Sequence, residues 1–234
     1  LLSSNENKGI ISKLKAIIIK GSDSYITYGT KAKEYLEHYG AESEKISVGL
    51  NTVNVNYFYS KTREYRQKQL FSVERKKYPE ILFLFVGQFI ERKGVKELIK
   101  VAEKFKDRQV GFLIVGDGHL RKELDNFVKI NNLKNIYFTG FVQKNNIYKY
   151  YALADILVVP SKEEVWGLVV NEGLASGNYI IAADQVGSVY DTIKDDRFGK
   201  IFNYTDCLKG LESAVSFCIE NIKNIKENRS MRSK

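Results

Sequence analysis

The sequence predicts an α/β protein built on a Rossmann-like, doubly wound parallel sheet, with a partial second α/β unit ahead of it. Three observations carry that prediction. Short, almost wholly apolar runs recur along the second half of the chain: "ILFLFVG" (81–87), "VGFLIVGDG" (110–118), "NIYFTGF" (135–141), "DILVVPS" (155–161) and "YIIAAD" (179–184). Runs this apolar suit strands buried on both faces, as in a parallel sheet. Helical patterns separate them, and strand alternating with helix means right-handed βαβ crossovers. Finally, several of the runs end at glycine, where a chain turns from strand to helix.

Taken in order, "IISKLKAIIIKG" predicts a helix ending at Gly21, and "SYITYG" a strand. "TKAKEYLEHYG" predicts a helix with Thr30 near its N-cap and Gly40 at its C-cap, and "KISVGL" a second strand. Two strands and two helices are too little sheet to stand alone. Residues 1–50 are therefore read as a remnant of an N-terminal α/β domain, and a chain opening on Leu1 as a piece of something longer. Residues 51–80 are rich in Tyr, Lys and Arg and read as a connector with one helix over 62–76. The complete domain spans 81–218. Its helices fall at 94–106, 119–131, 145–154 and 170–177, the first two with apolar residues at i, i+3, i+4, i+7. Residues 219–234 are polar and basic and read as a fraying helix and tail.

Composition narrows the partners. Lys and Arg number 37 against 28 Asp and Glu, a net charge of +9 that favours anionic partners. The excess is spread without a long basic run, so nucleic acid is not expected. Peripheral contact with an anionic membrane is more compatible, and a simply solvated basic surface more so still. No apolar stretch nears the ~20 residues of a membrane span, and the apolar run at 16–21 is too short for a signal peptide. Cys207 and Cys218 are expected to be reduced packing residues of a cytoplasmic protein. With His38 and His119 far apart, no metal-ligand spacing occurs.

In a doubly wound sheet, ligands bind outside the carboxyl ends of the strands. The first such end, "VGQFIERKG" (86–94), places Arg92 and Lys93 at a predicted helix N-terminus, where free N–H groups favour an anion. The cations then want a counter-charge, which a phosphate would supply; a solvated basic turn is an equal reading. "VGDGHL" (115–120) does not complete G-x-G-x-x-G and reads as a tight turn with Asp117 as cap. In "GFVQKNNI" (140–147), Phe141 offers either a face for a planar base or a packing ring. The richest end is "VVPSKEEVWGLVVNEG" (158–173). A helix starting near 168–170 leaves the N–H groups of Gly167, Leu168 and Val169 as an anion cradle, with Glu172 in or near the first turn. Glu172 would repel a phosphate but can accept from the adjacent hydroxyls of a ribose, and Glu164 from a second polyol. Taken alone, Glu164 reads better as a surface acid and Glu172 as a helix-favourable first-turn acid.

The order of these motifs resembles the retaining, GT-B-fold glycosyltransferases of group one, a family that includes sucrose synthases and many bacterial polysaccharide and lipopolysaccharide transferases. The motifs are G-Q-F-x-x-R-K-G, V-G-D-G, F-T-G-F-V and P-S-x-x-E-x-W-G-L-V-x-x-E-G-L-A-S-G, over 81–218. The resemblance implies the C-terminal half of a GT-B fold and a nucleoside diphosphate sugar as co-substrate. It puts Lys93, Arg92, Gln88, Gly87, Gly167 and Leu168 around the diphosphate and Glu172 on the ribose. Phe141 and Val142 fall at the base, and Glu164, the catalytic candidate, faces the transferred sugar. It implies no cofactor and no metal, an acceptor glycan or lipid-linked glycan, and a place at the cytoplasmic face of a membrane.

Two positions depart from the family pattern. Gln88 stands where the family has Arg, and "GSVYD" replaces a Gly-Pro-Glu pattern, leaving Asp191 as the acid. The acceptor-binding half is largely missing. A nucleotide-sugar epimerase of the same fold and a non-catalytic nucleotide- or phosphosugar-binding module are the rival expectations.

Overall fold

The computed structural model describes residues 9–49 and 51–233. The start of the 1–50 segment, Leu50 of the "KISVGL" run and Lys234 of the tail lie outside the described residues. Helix α1 (Ile10–Lys20), strand β1 (Tyr25–Tyr28), helix α2 (Thr30–His38) and strand β2 (Ile46–Gly49) come first. The strands pair in parallel, Tyr25 opposite Ile46. Ile10, Leu14 and Ile17 form an apolar stripe on α1 that is exposed, as is Ile26 on β1.

Two helices follow rather than the one expected over 62–76: α3 (Val55–Arg66) and α4 (Gln69–Arg75). The Asn54 side chain accepts from the Tyr57 N–H at 2.9 Å, capping α3 a full two turns earlier than the charge pattern indicated. Lys68, in an extended conformation, breaks the run. Phe58, Thr62 and Tyr65 share one face of α3 and are buried against the large domain, so the connector is docked along its length.

The large domain is a six-stranded parallel sheet of β3 (Ile81–Val86), β4 (Val110–Val115), β5 (Ile136–Gly140), β6 (Ile156–Val159), β7 (Tyr179–Ala183) and β8 (Gly199–Phe202). Its order is β5-β4-β3-β6-β7-β8, the doubly wound order in which the winding reverses between the third and fourth strands. Strands β4, β6 and β7 are buried at every residue, which is why they read as unbroken apolar runs. The Phe83 and Phe112 rings stack across β3 and β4 with centroids 5.0 Å apart. The sequence reading missed β8: it is a four-residue edge strand, buried only at Gly199 and Phe202 with Ile201 exposed, so it carries neither an apolar run nor an alternation. Helices α5 (Val95–Lys104), α6 (Arg121–Ile130), α7 (Tyr148–Leu153), α8 (Leu168–Ala175), α9 (Val189–Thr192) and α10 (Cys207–Glu220) connect or cover the strands. On α5, Val95, Leu98, Ile99 and Ala102 are buried at the predicted spacing. Cys207 and Cys218 are both free thiols on α10.

The C-terminal stretch predicted to fray is instead packed down as α11 (Ile222–Glu227) and α12 (Arg229–Arg232), with Ile225 and Arg232 buried. The reason is electrostatic. Helix C-termini leave carbonyls unpaired, and arginines reach them: Arg232 Nε donates to Gly177 O at 3.2 Å just past α8. From α3, Arg66 donates to Ser176 O at 2.9 Å and to Ala152 O at 3.1 Å. Burial, with Arg229 nearby, pulls the Arg66 guanidinium down to about 9. Asp155, at the start of β6, is the acid beneath them. It accepts from Leu82 N (3.0 Å), Arg229 Nη2 (2.6 Å) and Arg75 Nη2 (3.3 Å), joining α4, β3 and α12.

Removing that carboxylate takes the acceptor from a buried N–H and the counter-charge from two partly buried guanidiniums, which keep only carbonyl partners. Asp155→Ala is expected to lower the unfolding free energy by about 3 kcal/mol, read from urea denaturation; a change under about 1 kcal/mol would mean the cluster is solvated instead.

Candidate functional site

Because the winding reverses between β3 and β6, the loops leaving their carboxyl ends diverge to opposite faces and open a crevice. The first loop is 87–94. Its base is tied to the neighbouring strand end: Gly87 N donates to Val115 O at 3.0 Å and Phe89 N to Asp117 O at 2.9 Å. Phe89 is fully buried, while Gln88 between them is exposed. Arg92 and Lys93 lie on a separate short 3-10 turn, Glu91–Lys93, and not in the first turn of α5 as expected. Gly94 then takes a left-handed conformation, φ +70°, and α5 starts at Val95. A side chain at Gly94 would place its Cβ 1.9 Å from Pro160 O, at the end of β6. Glycine is thus what lets the two strand ends touch.

The second loop, 160–167, is stitched to the first. Lys162 N donates to Arg92 O at 2.8 Å, and the Lys93 ammonium forms an ion pair with the Glu164 carboxylate. Both side chains are largely buried, 20% and 15% exposed. This corrects one step of the sequence reading, which left Lys93 in need of a ligand's counter-charge: Glu164 supplies it from within the chain. The exposed Arg92 keeps only a long contact of 3.5 Å to Glu163 O. A third loop, after β7, closes on the other side: Gly187 N donates to Glu164 O at 3.0 Å and Ser188 N to Trp166 O at 2.9 Å.

Gly167, at φ +90°, begins α8, and no side chain caps the helix there. At a helix start the N–H groups of Gly167, Leu168 and Val169 have no intrahelical partner; Gly167 is buried and Leu168 exposed. Glu172 is the fifth residue of α8, so it sits in the second turn rather than the first. Its Oε2 accepts from the Tyr151 hydroxyl on α7 at 2.6 Å. Burial pushes the Glu172 carboxyl above the usual range, opposed by that hydrogen bond and by Lys144.

At the mouth of β5, Gly140 is left-handed and Phe141 is 72% exposed, so its ring is no core filler. Val142 is half-buried against the core. Asp117 holds the turn after β4 by accepting from Gly118 N at 2.8 Å; α6 starts beyond it without a side-chain cap, so Asp117 stabilises the turn and not the helix. Among the described residues no group of three or more His, Cys, Asp or Glu could hold a metal.

Sequence reasoning assigned no site role to Trp166 or Tyr151, and it placed Thr30 near the N-cap of α2, where it is instead the first helical residue after Gly29. Trp166 is buried, its Nε1 donating to Asn171 Oδ1 at 3.0 Å, and its ring meets the backbone of Gly29. Asp191, the acid of the altered motif, accepts from Thr30 N at 3.0 Å and from the Thr30 hydroxyl, capping α2 from across the chain. Only the Trp inside the Glu-to-Glu stretch was visible as unusual. A separate cavity of about 570 Å3 lies between α3 and the C-terminal helices, at the far end of α8, and its Arg66 is already engaged with carbonyls.

Comparison with known proteins agrees with this architecture. The family model for glycosyl transferases group 1 matches residues 66–225, and the chain belongs to that family. An uncharacterized glycosyltransferase of Methanocaldococcus jannaschii is 38% identical over 112 residues, 48% of this chain and 31% of that protein. An uncharacterized 41.2 kDa protein in the cps region of Klebsiella pneumoniae is 28% identical over 213 residues, 91% of this chain and 56% of that protein. Anabaena HepE, solved in complex with UDP, superposes with a TM-score of 0.74 at 19% identity, over 91% of this chain and 58% of that one. The chain thus spans little more than half the length of the relatives it matches most fully.

Two outcomes follow from the geometry. Gly94→Ala forces a Cβ against Pro160 O and is expected to cost about 2 kcal/mol or more of stability; a thermally neutral variant would contradict the close approach. Burial raises the Glu172 pKa in the folded chain, so its ionisation opposes folding as pH rises from the unfolded value through the folded one. Glu172→Gln should therefore be the more stable protein at pH 7, and its advantage should vanish below about pH 4, as followed by denaturant melts across pH.

Proposed function

We propose that this member of the group 1 glycosyl transferases is the donor-binding part of a retaining hexosyltransferase. The observation that carries the reading is the stitched crevice at β3 and β6, where Lys93 and Glu164 pair beside the Gly167 start of α8, the helix whose second turn carries Glu172. A nucleoside diphosphate sugar fits that arrangement end to end. Lys93, Arg92, the backbone at Gly87 and Gln88, and the amides of Gly167 and Leu168 surround the diphosphate. Glu172 accepts from the ribose hydroxyls, and Phe141 with Val142 offers a surface to the base. HepE, a structural neighbour, was solved with UDP and also with UDP-glucose, which supports a nucleotide in this crevice.

The reaction breaks the bond between the anomeric carbon and the diphosphate oxygen and forms a bond from that carbon to an acceptor hydroxyl oxygen, releasing its proton. Negative charge grows on the departing diphosphate. Preorganised donors aimed at that charge lower the barrier more than they stabilise the bound substrate. The α8 amides are such donors, and Lys93 joins them as it leaves Glu164, a set we propose stabilises the leaving group without a metal. Glu164 holds Lys93 in place and is the carboxylate nearest the transferred sugar. As the diphosphate gains charge, Lys93 is drawn from Glu164 to the phosphate.

The acceptor is proposed to be a glycan or lipid-linked glycan of bacterial surface polysaccharide synthesis, handled at the cytoplasmic face of the membrane. The relative in the Klebsiella cps region supports that class, and the net charge of +9 suits an anionic lipid surface.

Calorimetric titration with UDP, GDP and ADP tests the reading. One nucleotide should bind, and Lys93→Ala should weaken it by about ten- to thirtyfold, the value of a charge-assisted contact to phosphate. Failure of all three to bind would remove the donor site. Transfer to any acceptor by the 234-residue chain alone should be slight, since it spans only 56% of the length of the Klebsiella relative; robust turnover would show that this chain carries the whole machinery.

A further inference from the structure

We propose that Tyr151 is a positioning residue that sets Glu172 for recognition of a ribose, and so gives the site its preference for ribonucleotides over nucleotides lacking the sugar hydroxyls. This rests on Glu172 as the ribose ligand.

The geometry is specific. Tyr151 lies on α7 with no exposed surface, and its hydroxyl donates to Glu172 Oε2 at 2.6 Å. Among the described residues that hydroxyl has no other partner. The residue is anchored from several sides. Its ring meets the Phe58 ring of α3 edge-on, with centroids 5.8 Å apart. Its carbonyl accepts from Asn178 Nδ2 at 3.0 Å and Arg66 Nη2 at 3.3 Å. A ring held this way cannot swing its hydroxyl elsewhere.

A glutamate on a helix is otherwise free to rotate about its last bond. With Oε2 held by Tyr151, Oε1 is left to accept from a ligand. Fixing the carboxylate before the ligand arrives removes the ordering cost from the binding step. Tyr151 also keeps the carboxylate an acceptor. Burial favours its protonated form, while the Tyr151 hydrogen bond and, more weakly, the Lys144 charge favour the ionised one. Tyr151 itself stays protonated, because burial and the adjacent Glu172 push its phenol far upward. If the ring served only to fill the core, phenylalanine would serve as well, and a buried hydroxyl against a half-buried acid would be needless.

The test uses the 234-residue chain with whichever of UDP, GDP and ADP it binds best, and with the 2′,3′-dideoxy counterpart of that nucleotide. Tyr151→Phe, Glu172→Gln and the double variant are titrated by calorimetry, with thermal unfolding run alongside. Tyr151→Phe should weaken the ribonucleotide about five- to tenfold, the range for one buried hydrogen bond to a charged group, and leave the dideoxy compound within about twofold. The double variant should match Glu172→Gln alone. The acid limb of ribonucleotide binding should move to higher pH in Tyr151→Phe, since the hydroxyl no longer favours the ionised carboxylate. Phe58→Leu, which loosens the wall behind the ring, should shift the same ratio in the same direction by a smaller factor. Equal losses for both nucleotides, or additive losses in the double variant, would overturn the proposal and leave Tyr151 a packing residue. If Glu172→Gln itself leaves the ratio unchanged, the ribose assignment falls first and the role of Tyr151 falls with it.

Discussion

The crevice depends on one close approach. At the reversal of the sheet, the backbone of Gly94 meets the carbonyl of Pro160, and no residue with a side chain fits between them. That contact brings the loop after β3 against the loop after β6. The Lys162-to-Arg92 backbone bond and the Lys93–Glu164 pair then follow, because the two loops are already within reach. Loosen the approach and both charges lose their partners together.

The same stitching decides the electrostatics. A lysine beside a helix start is a weakly placed cation, but Lys93 is held by an acid from another strand end and largely shielded from water. Glu172 is treated in the opposite way: it is half-buried beside a hydroxyl, with no ion pair among the described residues, so its charge is kept costly. One site thus holds a lysine paired within the chain and, on the next helix, a half-buried carboxylate with no ion-pair partner among the described residues. Behind it, Arg66, Arg229 and Arg232 occupy the far ends of α7 and α8 and tie the connector and the C-terminal helices to the sheet. The element that carries Glu172 is therefore fixed at both ends, by glycine and backbone amides in front and by guanidiniums behind.

Contacts also run from this frame to the first two strands. Trp166 against Gly29 and Asp191 capping Thr30 connect the loops of the crevice to α2. The altered "GSVYD" motif keeps an acid at Asp191, and that acid serves the neighbouring unit rather than the crevice itself.

What the sequence determined by itself is local. Strands buried on both faces are apolar throughout, so β3, β4, β6 and β7 were legible, and α5 and α6 were legible from their period. The strand ends, and hence Gly87, Arg92, Lys93, Phe141, Gly167 and Glu172 as candidates, came from the same local signals and from motif order. Short elements without a periodic pattern, β8 above all, escaped, as did the split of α3 from α4 and the docking of the C-terminal arginines. The tertiary structure alone decided who meets whom: Lys93 with Glu164, 71 residues apart, Tyr151 with Glu172, 21 apart, and Thr30 with Asp191, 161 apart. Periodicity reports how a residue sits on its own helix or strand, whereas these pairings follow from strand order, and strand order is set by how buried faces from distant segments pack together.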